Sequence, residues 1–162
     1  MKYRVFISLL LAICAQACSE ESASQLKIPR QMSEASQVSD HASSTGRWYT
    51  QAQLQSGEQV YQSNCLVCHK KKATGTAQWK KTLADGSYPP PPLNGSAHAW
   101  HHDIETLTRY IKNGGVPLGG VMPGFKNKLS EQEVLAVIAY FQSYWDDNIY
   151  SDWLSIGGVA SE

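Results

Sequence analysis

The sequence predicts an all-α domain with long loops. Apolar residues recur at helical spacing towards the C-terminus, helix-capping residues stand just ahead of such runs, and no stretch sustains the alternation of a half-buried strand. The chain has 162 residues, enough for one domain and hardly for two. Its 14 basic side chains equal its 14 acidic ones, so it lacks the net basic charge that binding to nucleic acid needs. Four segments are expected: 1–17, 18–47, 48–153 and 154–162.

The first segment reads as a secretion signal. Lys2 and Arg4 make its positive end, and Val5 to Ile13 make an apolar run too short to span a bilayer. Ala15-Gln16-Ala17 is a small-x-small cleavage site. Cleavage there removes two of the 14 basic side chains, leaving 12 against 14 acidic ones. The cut falls before Cys18, so two fates stay open: a free periplasmic protein, or a lipoprotein tethered through lipid on Cys18. The Leu9-to-Ala17 context resembles a lipoprotein signal, although Ala15 stands where Leu is usual. Residues 18–47 are rich in Ser, Gln, Glu and Ala without an apolar period, and read as a flexible leader or tether.

In the domain, a first helix is expected over Ala52–Ser63, with Leu54, Val60 and Tyr61 for its buried side and Gly57 inside it. A mid-helix glycine costs about 0.5–1 kcal/mol against alanine, so its presence points to a close neighbour. Gly and Pro punctuate Asp85 to Ser96, which must be loop. A middle helix is expected over Ile104–Asn113, capped by Asp103 and ended by Gly114. After a glycine-rich loop to Gly124, Ser130-Glu131-Gln132-Glu133 is a capping box for a last helix. Its buried face takes Val134, Val137, Ile138, Phe141, Tyr144 and Trp145.

Four cysteines are present: Cys14 in the signal, Cys18 at the processing site, and Cys65 and Cys68 in the domain. Cys65-Leu66-Val67-Cys68-His69 has the C-x-x-C-H spacing of c-type haem attachment. Two thioethers reach two vinyl groups on one porphyrin edge, and the next residue carries its imidazole to the iron. Zinc is the rival for these ligands, but a structural zinc site wants four, and no second cysteine pair exists. With one such motif, one haem is expected. Met122 is the only methionine between 48 and 153, which makes it the candidate sixth ligand; its other reading is a filler of a gap in the core.

On these motifs the chain resembles a class I, mono-haem cytochrome c of the bacterial periplasmic type. Gly57 to Cys65 resembles that family's first helix, and Leu135 to Phe141 its last. The resemblance implies an all-α cytochrome c-like domain of three to four helices, with Gly57, Tyr61, Val137 and Tyr140 at the crossing of first and last. Pro91 to Gly95 resembles the loop that passes the iron-ligating histidine, which implies a carbonyl of Pro91 or Pro92 on the ring of His69. Gly119 to Phe125 is similar to the family's Met-Pro loop. The resemblance spans about residues 52–146.

The expected function is single-electron transfer outside the cytoplasm between redox proteins, without substrate chemistry. An alternative is a haem enzyme or sensor in which Met122 is labile. His98, His101 and His102 suggest a second alternative, a copper-handling site, since imidazole suits copper; otherwise they are loop polar groups near a haem carboxylate. They also compete with Met122 for the iron. Lys70, Lys71, Lys72, Lys80, Lys81, Lys126 and Lys128 flank the haem motif and the methionine loop, and suit an acidic partner.

Overall fold

The computed structural model describes residues 46–159, and the signal segment, Cys14, Cys18, Met32 and His41 lie outside them. Among the described residues there are four helices of useful length, one short helical turn and three 3-10 segments. Helix α1 covers Gln51–Asn64, one residue longer at each end than its sequence pattern. Thr50 explains its start: the hydroxyl accepts from Gln53 N, and the Gln53 side chain accepts from Thr50 N at 2.8 Å. The short α2, Leu66–His69, follows at once. Helix α3 is Ile104–Asn113, capped by Asp103 on Thr106 N at 2.7 Å. Helix α4 is Glu131–Gln142, with the Ser130–Glu133 capping box formed in both directions. Among the described residues there is no strand, only a single bridge between Tyr88 and Gly120. None of their helices is long and apolar enough to cross a membrane.

Helices α1 and α4 cross at Gly57. A Cβ there would lie 1.9 Å from the Ala136 carbonyl oxygen and 2.9 Å from Tyr140 Cβ. Only glycine admits this approach, and burial at the contact outweighs its poor helix propensity. Tyr61 and Tyr140 meet beside it, ring centroids 5.1 Å apart, and Val137 is buried in the same core. These are the crossing residues that the resemblance implies.

The apolar spacing of α4 runs past its end. The chain tightens after Gln142, with Trp145 N donating to Gln142 O at 3.0 Å, and Tyr144 and Trp145 lie in this turn. Asp146 then caps a further helix, α5, Asp147–Ser155, for which the sequence offered no reading. Its Trp153 is fully buried 5.9 Å from the ring of Trp145. Each buried indole finds an acceptor, as such a group must. Trp153 Nε1 donates to His102 O at 2.8 Å and Trp145 Nε1 to Leu93 O at 2.8 Å. The turn after α4, through Trp145, and helix α5, through Trp153, thereby each tie down one of the two loops that lead to the site. Past it, Ile104 N donates to Gly158 O at 2.8 Å. At the other end, the Arg47 guanidinium lies 4.0 Å over the Tyr150 ring and 2.7 Å from Asp147 Oδ1.

Candidate haem-binding site

The cavity beside the helix crossing has a volume of about 680 Å³. Leu107 and Ile111 of α3 and Val137 and Phe141 of α4 contribute its apolar wall. Cys65, Cys68, His69 and Met122 all line it. Cys65 closes α1, its N–H donating to Tyr61 O at 2.8 Å. Its carbonyl accepts from Cys68 N and His69 N, so one turn of helix fixes the spacing of the three side chains. Both cysteines are free thiols. Burial, and then the neighbouring Cys68, push the Cys65 thiol up to about 11, so it carries its proton at neutral pH.

His69 is buried, with Nδ1 2.9 Å from Pro91 O. A carbonyl only accepts, so Nδ1 carries the hydrogen and the lone pair of the neutral ring is on Nε2. Burial holds this histidine below its ordinary value, and the Pro91 carbonyl opposes that in part. Of the two prolines left open by the sequence, Pro91 supplies the carbonyl. Pro92 is buried, with its nitrogen against Gly75. Gly75 was missed in the sequence. A Cβ on it, at φ +62°, would lie 2.5 Å from Pro91 O. Its N–H donates to His69 O at 2.7 Å, while Thr76 N donates to Pro90 O and Leu93 N to Ala73 O. These bonds hold the proline loop against the histidine.

Between them the backbone is strained. Lys70, Lys72 and Ala73 have positive φ, and Lys70, at φ 64° and ψ 174°, occupies a region suited only to glycine. The phenol of Tyr61 donates to Lys70 O at 2.8 Å and helps to impose this conformation. Lys70→Gly should stabilise the chain by about 1 kcal/mol, since strain of ~1–3 kcal/mol is relieved against ~0.5–1 kcal/mol of added chain entropy. Urea midpoints measure it, and a less stable variant would show that the strain is not there.

Met122 reaches the cavity on a pinned loop. Gly115 N donates to Met122 O and Gly120 N to Gly115 O, both at 2.9 Å, and Phe125 N donates to Ile111 O at 3.0 Å. The chain thus presents two thiols, an oriented imidazole and a thioether to one apolar volume. That donor set fits a c-type haem, with soft sulfur and imidazole for the iron.

The three loop histidines do not converge. His98 and His102 line the cavity, whereas the ring of His101 stacks on Trp100 at 3.7 Å. Among the described residues no group of three His, Cys, Asp or Glu side chains could hold a metal ion. This corrects the copper reading of His98, His101 and His102: the Trp100 face takes up the third ring.

Comparison with known proteins agrees with this geometry. The family described as cytochrome C oxidase, cbb3-type, subunit III, matches residues 52–141. The cytochrome c subunit of alcohol dehydrogenase (quinone) from Gluconobacter oxydans is 31% identical over 99 residues, 57% of this chain and 19% of that protein. The cbb3-type cytochrome c oxidase subunit CcoP from Rhodobacter capsulatus is 33% identical over 107 residues, 61% of this chain and 32% of that protein. The chain therefore spans between about a fifth and a third of the length of these relatives. No solved structure matches it significantly. With more than half of its length matched, C-x-x-C-H motif and Pro91 included, this chain belongs to the cytochrome c family described as cytochrome C oxidase, cbb3-type, subunit III.

Proposed function

We propose that the chain is a single-electron carrier with one haem, attached through Cys65 and Cys68 and ligated by His69 and Met122. The observation that carries this is the meeting of these four side chains in one apolar cavity. In attachment each thiol adds across a vinyl double bond, sulfur to one carbon and hydrogen to the other, so nothing is oxidised. When bound, the group supplies a ferric/ferrous couple that takes or gives one electron.

The protein's own work is to keep that couple rigid and dry. Pro91 holds the His69 ring in one tautomer and orientation. The Gly115 and Phe125 hydrogen bonds hold the Met122 loop. Apolar walls from α3 and α4 exclude water, which limits the reorganisation that accompanies a change of charge.

The partners are redox proteins, in keeping with the relatives' names as subunits of an oxidase and a dehydrogenase. Val67, between the two cysteines, is 77% exposed, and Leu118 near Met122 is 63% exposed. With exposed Lys70, Lys71, Lys72, Lys126 and Lys128 around them, an acidic partner fits, its association slowed by salt. Secretion through residues 1–17 places the carrier in the periplasm. Of the two fates open at Cys18, lipid there would tether the carrier to the membrane, and Cys18→Ser would then release it or block its processing, whereas an unmodified Cys18 leaves it free.

Ligand challenge separates carrier from enzyme or sensor. With both axial positions filled, the ferrous protein should leave its visible spectrum unchanged under carbon monoxide. Rapid, complete binding would mean a labile Met122 and favour the enzyme or sensor.

A further inference from the structure

Two imidazoles in the cavity have no part in this reading. His98 and His102 both line it, their rings edge to face with centroids 5.8 Å apart. His98 lies 5.1 Å from the ring of Trp79, another cavity residue, and His102 lies 5.3 Å from Tyr110. Among the described residues neither imidazole hydrogen-bonds to a protein group. His98 is exposed and His102 half-buried, so the pair stands where the apolar cavity meets water. A haem brings two carboxylates, which an apolar wall cannot bury without partners. The imidazoles and the Trp79 indole are grouped donors on this wall.

The charges around the pair bear on its titration. His98 faces His101 and His102, with Lys80 on the Trp79 ring beyond. His102 faces His98, His101, Arg109, Tyr110 and Asp103, and only Asp103 favours its charged form. Burial comes first in holding both rings below the ordinary 6.5, followed by His101 for His98, and by His98, His101 and Arg109 for His102. The rings are therefore neutral at pH 7, and added negative charge nearby favours their protonation.

We propose that His98 and His102 receive the haem carboxylates and take up a proton when the iron is reduced, so that the carrier's potential depends on pH. The inference rests on the haem reading above. One electron enters from the donor protein and one proton passes from water to a ring nitrogen. The charge of the cavity stays constant, and no bond to the iron forms or breaks. Low polarity lets a charge at the iron be felt at the rings.

The test is a redox titration of the haem-loaded protein between pH 5 and 9, for the wild type, His98→Gln, His102→Gln and the double variant. Glutamine keeps a hydrogen-bond donor and cannot take the charge. In the wild type the ferric-to-ferrous ratio at fixed potential should rise up to tenfold per pH unit, about 59 mV. The window begins below 6.5 and ends on the order of one unit higher. Each single variant should weaken the slope, and the double variant should be flat. Proton NMR of the wild-type imidazoles, which needs no variant, should show roughly tenfold tighter proton binding in the ferrous form. A flat wild-type potential, a slope kept by the double variant, or identical imidazole titrations in both oxidation states would overturn the proposal. Covalent haem in the flat protein leaves the carrier reading standing, whereas a chain that takes up no haem overturns both.

Discussion

Gly57→Ala should destabilise the protein by about 2–3 kcal/mol and impair haem loading, although alanine is the better helix former. The new methyl carbon would stand 1.9 Å from Ala136 O and 2.6 Å from Ala136 C. These are backbone atoms of α4 and cannot rotate away, so the two helices must part. Overpacking of this kind costs ~1–3 kcal/mol or more, against a propensity gain of at most ~1 kcal/mol. The separation also opens the contact between Tyr61 and Tyr140, and with it the phenol's hold on Lys70 next to His69. Ser56→Ala, at an exposed position of the same helix, should stay within ~0.5 kcal/mol of the parent. Urea midpoints of the three proteins give the comparison. A Gly57→Ala variant more stable than the parent would mean that the crossing is looser than described.

Met122→Ala should lower the reduction potential by on the order of 0.1 V, within the ~0.8 V over which axial ligands act. It should also remove the weak long-wavelength charge-transfer band of a sulfur-ligated ferric haem. Thioether is a soft ligand that favours the ferrous state, and alanine offers nothing in its place. The loop itself should persist, because Met122 is held there through its carbonyl by Gly115 N. A spectrum and potential unchanged by the substitution would move the sixth ligand to His98 or His102, the remaining imidazoles in the cavity.

What could be read from the sequence was set by local chemistry. Helix α3 has the limits its pattern predicts, Ile104–Asn113, because Asp103 and Gly114 define both ends within the segment. The capping box at Ser130 fixed the start of α4 in the same way. The C-x-x-C-H reading needed only one turn of chain. Helix α5 was not legible, because its burial depends on partners far away, such as His102 O, 51 residues from Trp153. Nor could Pro91 be told from Pro92, since the choice depends on loop register set through Gly75 and Ala73. The copper alternative for the histidine cluster fails because neighbours in sequence diverge in space: His101 turns onto Trp100 while His98 and His102 line the cavity.

The mass of the denatured protein, made in a host with haem c maturation machinery, bears most directly on how the cofactor is held. It should equal the processed chain plus one haem, with one iron per chain. Haem should survive acid–acetone extraction and travel with the peptide that contains Cys65 to His69. A bare chain, or haem that leaves on extraction, would contradict thioether attachment at Cys65 and Cys68.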